Sequence, residues 1–450
     1  MWSRWRRLPL HWQILVAMAL GLALGVGLDQ LAKAGTIDRS VAERAAGIGQ
    51  QVGKLFLALL SMLVVPLILS SLVSGVVGVP DLRGLRSMSI WTFGFYLISS
   101  LLAIATGILV VNLIRPGDGL DYATLHAAAV GHGSAMPEGA AAAGQAGASS
   151  LWDVLFRMVP ENVIAASSSN RLILAVIFFA IMLGVFIKKV ERDGNESGRI
   201  MARFFTALFD VMMAMTSWVV SLAPYGIAGF LVSLGASGGL AIAGHLGAYM
   251  LAVALGLVIH AVVTLPLLLW VLGRRSPLAH AKAMAPALMT AFSTASSNAT
   301  LPLTLRCLDE RARVDSRVSS FTIPLGATVN MDGTALYEAV AVLFIAQTLG
   351  DLSLTQQIVV VFMALAASVG AAGIPHAGTV MMVIVLQAVG LPTEAVIVIL
   401  AVDRVLDMAR TTVNVWSDSC GAAIVARRAA GSLPPPGETE ADAAPALADA

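Results

Sequence analysis

Long runs without Asp, Glu, Lys or Arg alternate along this chain with short basic segments. The longest run covers residues 211–273, and comparable runs cover 55–80, 87–114 and 352–393. Because roughly 20 apolar residues in a helix cross the hydrocarbon core of a bilayer, each run is long enough to span a membrane. The pattern therefore predicts an all-α polytopic membrane protein.

The boundaries of the apolar runs predict eight transmembrane helices. They are expected at about 12–29, 52–79, 88–114, 171–189, 203–233, 243–273, 318–349 and 394–427. Positive groups occur at the N-terminus and at 83–86, 188–199, 274–275, 311–317 and 427–428, whereas residues 116–156 contain neither Lys nor Arg. Since positive charge favours the cytoplasmic side, we expect both termini in the cytoplasm and residues 116–156 outside.

Two further apolar stretches, 280–308 and 354–390, are interrupted by small residues and a proline, in "SSNATLP" and "GAAGIP". Positive charge flanks only the first, so we expect two re-entrant helical hairpins, the first entering from the cytoplasm and the second from outside. The similar pentapeptides "NATLP" and "AAGIP" favour inverted repeats, although an alanine-rich chain can supply this match by chance. Transporters bind substrate where such repeats meet.

Composition supports the membrane class. Hydrophobic residues make up 58% of the 450 residues, charged residues 12%, and mean hydropathy is +0.84, whereas a soluble protein carries about 25% charged residues. The net charge of +1 gives no indication of a nucleic-acid partner. The two cysteines, Cys307 and Cys420, are expected to pack in apolar segments and not to bind metal.

The predicted organisation has four parts. Residues 1–11 form a basic cytoplasmic N-terminus, 12–273 form six transmembrane helices, 278–428 form a transport core, and 429–450 form a disordered cytoplasmic tail rich in Pro, Ala and acidic residues.

A polar stripe follows the apolar run "TEAVIVIL". At 100° per residue its members fall within about 80° of one another on a helix; they are Asp403, Asp407, Arg410, Thr411, Asn414 and Asp418. A face turned to water, or Asp–Arg pairs that satisfy each other, is one interpretation. The other is a site, because a guanidinium binds a carboxylate, and carboxylates bind an ammonium group or a cation.

The segment "GATVNMDGTALYEA", residues 326–339, carries further polar groups inside an apolar span. Gly333 is expected to loosen the helix and to free carbonyls for Na⁺, and a kink without function is the alternative. Glu338 is a candidate proton carrier, since a lone carboxyl group in hydrocarbon is expected to be protonated until it meets water. A permanently protonated acid in a structural hydrogen bond is the alternative for Glu338.

Four segments together resemble the dicarboxylate/amino acid:cation symporters, which include the animal excitatory amino acid transporters and archaeal aspartate transporters. These segments are "STASSNATLPLT", "NMDGTALYEAVAVLFIAQ", "SVGAAGIPHAG" and "RTTVNVWSD". The resemblance implies a homotrimer in the plasma (inner) membrane. In each protomer a static scaffold would support a transport domain, including spans 3 and 6, that moves like an elevator.

The resemblance also implies a binding role for individual residues. The implied substrate contacts are Ser296, Ser297, Thr334, Asp407, Arg410, Thr411 and Asn414. Within this set Arg410 would hold the side-chain carboxylate and Asp407 the amino group. Glu338 stands where proton-coupled relatives carry glutamate and Na⁺-only relatives carry glutamine.

Three Na⁺ sites are implied in the same way. The first would use Gly326, Asn330, Asn414 and Asp418. The second would use Tyr96, Ser99, Ser100, Asn330 and Asp332. The third, formed mostly by backbone carbonyls, would use Thr328, Met331, Ser368, Val369 and Ala371.

Some positions depart from the family pattern. An arginine is usual either before the hairpin-one serines or after the substrate aspartate, where this chain has Ala295 and Met408. Arg404 is a candidate substitute, although its side chain could equally snorkel or pair with Asp407. His376 stands at the tip of the second hairpin, where glycine or glutamine is usual. These departures bear on affinity and gating more than on substrate class.

The sequence thus predicts a symporter, not an enzyme, that imports aspartate or glutamate with Na⁺ and H⁺. The preference between the two, the Na⁺ stoichiometry and the return of K⁺ stay open. A C4-dicarboxylate:cation symporter of the same family is one alternative, and an anion channel is another. A third is a rhomboid-like protease, suggested by "GASG" at 235–238 with His245 and His260, but four residues are a weak motif.

Overall fold

Helices account for nearly all of the described chain, and no strand occurs in it. The computed structural model describes residues 10–78, 86–125, 159, 162–168, 173–236, 240–370, 378, 381–382, 385–386, 389–392 and 395–429. The all-α class predicted from the sequence is therefore confirmed for these residues.

Fifteen helices are numbered here in chain order. They are α1 Leu10–Lys33, α2 Arg39–Val77, α3 Arg86–Ile114, α4 Val163–Ser168, α5 Ile173–Arg192, α6 Glu196–Ser221, α7 Ala223–Ala236, α8 Leu240–Ile259, α9 Leu265–Gly273, α10 Pro277–Thr294, α11 Ser297–Arg306, α12 Ser316–Val329, α13 Asp332–Gln347, α14 Leu354–Gly370 and α15 Val396–Ala429. A π-helical segment, His260–Thr264, joins α8 to α9, and a second one, Cys307–Arg311, follows α11.

Five helical segments of the described chain are long and apolar enough to cross a membrane. They are Trp12–Lys33, Ser87–Ile114, Glu196–Val219, Ile242–Gly273 and Ser316–Gln347. Shorter apolar helices cover Val65–Val77, Ala223–Ala236 and Leu354–Ser368. Many large apolar side chains on α1, α3, α6 and α8 are exposed, as a lipid-facing surface requires. The predicted count of eight crossings stays a prediction.

Two predicted spans are divided in the structure. The span expected at 203–233 consists of α6 and α7, which separate at Leu222. Pro224 lacks the backbone N–H that would bond to the Val220 carbonyl oxygen in a continuous helix, and proline is tolerated only in the first turn of a helix. The sequence therefore contains a cause for this break. The span expected at 318–349 consists of α12 and α13.

The break between α12 and α13 lies at Asn330 and Met331, whose φ and ψ angles are −107° and 73°, and −107° and 63°. The expectation that Gly333 loosens the helix was therefore wrong. Gly333 lies inside α13, and a Cβ atom there would come within 2.6 Å of the Arg410 carbonyl oxygen. Its glycine permits α13 to approach α15 closely.

The stretch predicted as the first hairpin forms two helices that pack against each other, α10 and α11. The chain reverses at Ala295, in the left-handed region with φ of 49°, and at the extended Ser296. Helix α14 forms the first arm of the second predicted hairpin. The tip sequence "AAGIP" lies outside the described residues.

The helices pack in two groups. Helix α7 packs against α1 and α2, and α5 and α6 pack against α2. Helix α15 packs against α3 and against α8 to α13. Contacts within each group are denser than those between the groups, and the second group contains most of the buried polar side chains.

Glycines bring the backbones of the first group together. A Cβ atom at Gly21 would lie 2.7 Å from the Ala228 carbonyl oxygen, and one at Gly49 would lie 2.5 Å from that of Gly229. In a bilayer, where lipid is as apolar as leucine, helices associate through close packing of this kind. Helix α7 is thus fixed between α1 and α2.

Candidate functional site

Four charged side chains are buried together on α15. Arg410 donates from Nη2 to Asp407 Oδ1 at 2.7 Å and from Nη1 to Asp403 Oδ1 at 3.2 Å. Arg404 Nη1 lies 3.7 Å from Asp407 Oδ2. Each of the four is at most 3% exposed. We call these residues the guanidinium cluster; with two arginines and two aspartates, its formal charge is zero.

Arg410 is enclosed on both faces. Its guanidinium carbon lies 4.0 Å from the centre of the Tyr337 ring on α13, a favourable cation–π distance. On another side, a Cβ atom at Gly378 would come 2.9 Å from Nη1. An alanine at this position would therefore press on the guanidinium, and the Arg410 side chain would have to shift.

Asn414 connects the guanidinium cluster to α13. Its side chain accepts from the Gly333 backbone N–H at 2.7 Å and donates to Thr334 Oγ1 at 3.2 Å. Thr411, the neighbour of Arg410, is also buried. Three of the predicted substrate contacts, Thr334, Thr411 and Asn414, thus lie near Arg410 along the contact between α13 and α15.

The hairpin-one serines begin α11. Ser296 is its N-cap and accepts from the Ala299 backbone N–H at 3.2 Å, and Ser297 is its first residue. Both are buried, and α11 packs against α15. The N-terminal end of a helix carries a partial positive charge, which favours an anion beside these serines.

A second polar group joins α3, the α12–α13 break and α15. Its members form a connected hydrogen-bond network and are all buried; they are Ser99, Ser100, Asn330, Asp332, Ser417 and Asp418. We call them the serine–aspartate cluster. Asn330 Nδ2 donates to Asp418 Oδ1 at 2.9 Å and to Ser417 Oγ at 3.0 Å. Ser417 in turn donates to Asp332 Oδ2 at 2.6 Å.

Asp332 is the centre of the serine–aspartate cluster. Ser100 donates to its Oδ1 at 2.6 Å, with Ser99 at 3.3 Å from the same atom. His260, the first residue of the π-helical segment, places Nε2 3.1 Å from Oδ2. Several carboxylate, amide and hydroxyl oxygens thus lie close together in this cluster. Oxygen atoms of this kind are the ligands that hard cations prefer.

The remaining residues of the first two predicted Na⁺ sites lie beside this cluster. A Cβ atom at Gly326 would meet the Asp418 carboxylate and would come 2.8 Å from the Tyr96 hydroxyl, so both side chains lie against that glycine. Tyr96 itself donates to the Thr322 carbonyl oxygen at 2.7 Å.

The third predicted Na⁺ site is brought together only in part. Met331 is buried at the helix break, and Thr328 donates to the Leu325 carbonyl oxygen at 3.0 Å. Ser368 donates to the Leu365 carbonyl oxygen at 2.9 Å, and Val369 lies in α14. Ala371 lies outside the described residues, and so does His376. Helices α12 and α14 are in contact.

Glu338 is fully buried on α13. Neither of its carboxyl oxygens has a hydrogen-bond partner among the described residues. This argues against the interpretation of Glu338 as an acid held by a structural hydrogen bond within the described chain. The role of Glu338 as a proton carrier stays a prediction.

The departures from the family pattern have distinct surroundings. Ala295 occupies the left-handed turn of the first hairpin, and Met408 is half-buried. Arg404 does not snorkel to a surface, because it is only 2% exposed; of the two alternatives, it lies beside Asp407.

The structure adds four residues to these clusters that sequence reasoning missed. They are Tyr337, Ser417, His260 and, as a partner of Arg410, Asp403. Asp403 was visible as a member of the polar stripe. Ser417, next to Asp418, had no signal of its own. His260 could not be assigned, because a π-helical turn shifts the helical register by one residue.

Comparison with known proteins decides the family. The family model described as "Sodium:dicarboxylate symporter family" matches residues 10–428. This chain belongs to that family. It is 36% identical to excitatory amino acid transporter 3 of Oryctolagus cuniculus, with 93% of this chain and 86% of the relative covered. It is also 36% identical to excitatory amino acid transporter 1 of Ambystoma tigrinum, with 83% of this chain and 76% of the relative covered. The identity to an excitatory amino acid transporter of Caenorhabditis elegans is 36% as well, with 83% of this chain and 80% of the relative covered.

Membership of a symporter family identifies the chain as a membrane transporter coupled to Na⁺, and not as an enzyme. The histidines of the protease alternative do not lie together: His245 Nδ1 is 3.0 Å from the Pro116 carbonyl oxygen, whereas His260 contacts Asp332. The motif "GASG" lies partly outside the described residues.

Proposed function

We propose that this protein is a secondary active symporter that imports aspartate or glutamate together with Na⁺ and H⁺. The observation that carries the substrate class is the buried pair of Arg410 and Asp407. A guanidinium can bind a carboxylate through two parallel hydrogen bonds. The adjacent aspartate provides a counter-charge for an ammonium group, and the two together match an acidic amino acid.

The alternative within the same family is a C4-dicarboxylate symporter. A dicarboxylate such as succinate would bring two negative charges beside Asp407 without an ammonium group to compensate that carboxylate. Like charges in a buried site repel strongly. The position of Asp407, 2.7 Å from Arg410, therefore favours the amino acid, and the relatives are excitatory amino acid transporters.

The remaining proposed substrate contacts complete an amino-acid site. Asn414, Thr334 and Thr411 supply neutral polar groups next to Arg410. Ser296 and Ser297, at the N-terminal end of α11, would hold the α-carboxylate. Support for this role is the packing of α11 against α15.

Na⁺ is proposed to bind at the serine–aspartate cluster with Gly326, Asn414 and Tyr96, and at the third set around Thr328 and Ser368. The support is chemical. No lysine or arginine of the described chain forms an ion pair with Asp332 or Asp418, so these buried carboxylates lack a strong compensating cation. A bound Na⁺ would supply that charge.

Glu338 is proposed as the proton carrier. A buried carboxyl group without a hydrogen-bond partner is far less costly when neutral than when ionised. Release of the proton would follow when the moving part of the protein exposes Glu338 to water. Counter-transport of K⁺ is not part of this proposal.

The proposed architecture is an eight-span elevator transporter with two re-entrant hairpins related by inverted repeats, assembled as a homotrimer in the plasma (inner) membrane, both termini in the cytoplasm. Residues 278–428, with spans 3 and 6 (α3, and α8 to α9), would form the mobile unit, and the remaining helices of 12–273 the scaffold. The sparse contacts between the two packing groups support this division.

Uptake into proteoliposomes tests the function. Purified protein would be supplied with radiolabelled aspartate, glutamate or succinate while Na⁺, H⁺ and K⁺ gradients are imposed separately. We expect saturable aspartate or glutamate uptake that requires an inward Na⁺ gradient and increases with an inward H⁺ gradient. Better transport of succinate than of aspartate would contradict the role of Asp407, and ion flux without any substrate would favour a channel.

A further inference from the structure

The two arginines of the guanidinium cluster differ in how their hydrogen-bond donors are used. Arg410 donates to Asp403 and to Asp407. Arg404 is equally buried, but its Nε and Nη1 atoms have no hydrogen-bond partner among the described residues. Buried charged donors rarely stay unsatisfied in every state of a protein. Arg404 is therefore expected to use these donors in another state.

Substrate binding would change the hydrogen bonds within the guanidinium cluster. A ligand carboxylate on Arg410 competes with Asp403 and Asp407 for the same guanidinium. Asp407 would then lose its 2.7 Å bond to Arg410 Nη2, although its other oxygen, Oδ2, is already 3.7 Å from Arg404 Nη1. A shift of about 1 Å would convert that contact into a charge-assisted hydrogen bond, since these bonds are about 2.7–2.9 Å long.

We propose that Arg404 is a positioning residue that holds Asp407 through Oδ2 while the substrate takes Arg410, and that it thereby sets how strongly the site discriminates amino acids from dicarboxylates. This inference rests on the proposed function. With Arg404 present, Asp407 keeps one guanidinium whichever ligand binds. With an amino acid it also gains an ammonium group.

The loss of Arg404 would therefore affect the two ligand classes unequally. An amino acid would still bring its ammonium group to Asp407. A dicarboxylate would bring no cation, and Asp407 would lose the last guanidinium of the cluster. Arg404 would also no longer draw Asp407 away from Arg410, so every ligand would compete against a stronger internal pair.

The test compares Arg404→Met, which keeps side-chain bulk but removes the charge, with wild-type protein in proteoliposomes. The measurements are KM and kcat for Na⁺-driven aspartate uptake and the inhibition constant of succinate. We expect the aspartate KM to rise about tenfold, equivalent to about 1.4 kcal/mol. The succinate constant should rise about a hundredfold and kcat should change little, so selectivity increases about tenfold.

Two further variants separate positioning from folding. Arg404→Lys keeps a positive charge near Asp407 and should restore the wild-type selectivity ratio with a moderately raised aspartate KM. Arg427→Met removes an exposed arginine from the same helix and should match wild type in every constant. If Arg404→Met does not fold, the lysine variant still tests the idea, because a selectivity ratio shifted tenfold despite the retained charge would overturn it.

The outcomes distinguish the two proposals. Equal rises in both constants for Arg404→Met, or no rise in either, would overturn the positioning role while leaving the acidic amino-acid function intact. An absence of Na⁺-driven aspartate and glutamate uptake by wild-type protein would overturn the proposed function, and the role of Arg404 with it.

Discussion

The guanidinium cluster and the serine–aspartate cluster share helix α15 but treat buried charge in opposite ways. In the first, Arg404 and Arg410 balance two aspartates through ion pairs. In the second, Asp332 and Asp418 are surrounded by hydroxyl and amide groups, with His260 Nε2 3.1 Å from Asp332 and the Tyr96 hydroxyl near Asp418. By formal charge the first cluster is neutral, whereas the second has two carboxyl groups and no lysine or arginine of the described chain paired with them.

This difference suggests that the two clusters bind different ligands. A neutral cluster can exchange internal ion pairs for ligand ion pairs without a large change in net charge. An anionic buried cluster needs an added cation, because an uncompensated charge in a low-dielectric interior is costly. Asn414, which contacts both Gly333 and Thr334, lies between the two regions and is positioned to couple them.

The largest effect is expected from removing Arg410. Arg410→Thr leaves Asp403 and Asp407 without their shared guanidinium, and breaking a buried ion pair costs about 3–5 kcal/mol. Aspartate uptake should fall at least about a hundredfold, while a neutral amino acid such as serine becomes a better substrate than aspartate. Radiolabelled uptake measures both. Arg427→Met is the matched control, and aspartate uptake with an unchanged KM in Arg410→Thr would contradict the assignment.

The second effect should be specific to the serine–aspartate cluster. Asp332→Asn and Asp418→Asn each remove one formal charge at nearly constant shape. A lost charge-assisted contact is worth about 1.5–3 kcal/mol, so the Na⁺ concentration for half-maximal uptake should rise at least about tenfold, or transport should cease. Asp351→Asn changes an exposed carboxylate paired with Arg115 and serves as control. Wild-type Na⁺ dependence in both cluster variants would remove the distinction between the regions.

A smaller effect is expected from Gly378→Ala, which tests the enclosure of Arg410. The added methyl group would press on Nη1 from 2.9 Å, and overpacking of this kind costs about 1–3 kcal/mol. The aspartate KM should rise about tenfold while the Na⁺ dependence stays the same. Gly94→Ala is the control, because a Cβ atom there meets no atom within 4 Å. An equal change in the aspartate KM and in the Na⁺ concentration for half-maximal uptake would mean that Gly378 does not act on the guanidinium cluster alone.

The smallest effect on uptake itself is expected from Glu338→Gln. The amide resembles the protonated acid in shape and charge, so substrate exchange and Na⁺ dependence should persist. Acidification of the liposome interior during uptake, followed with a trapped pH-sensitive dye, should disappear. If acidification persists with uptake intact, another group carries the proton, with His376 and the carboxyl group of the substrate as the next candidates.

The guanidinium cluster was largely predictable from the sequence because its charged members lie on one helix. Asp403, Asp407 and Arg410 recur at helical spacing, so their common face could be read without knowledge of any tertiary contact. The alternative that Asp and Arg pair with each other proved to describe the Arg410–Asp407 contact in this structure.

The serine–aspartate cluster could not be derived in the same way. Ser100, Asp332 and Ser417 lie on three different helices, and nothing local to any one of them indicates the others. Family resemblance supplied Ser99, Ser100 and Asp332 but not Ser417 or His260. The helix break was predicted in the correct segment but assigned to Gly333, since glycine is a common helix breaker, whereas the break lies at Asn330 and Met331.

The break between α12 and α13 also gives the serine–aspartate cluster a field that its side chains do not supply. The C-terminal end of α12, at Val329, carries a partial negative charge, and the N-terminal end of α13, at Asp332, carries a partial positive charge of about half an elementary unit. The first attracts a cation, and the second stabilises the Asp332 carboxylate. Two helix ends of opposite polarity therefore meet where a cation and its carboxylate would sit side by side. An uninterrupted helix with the same side chains would present neither end.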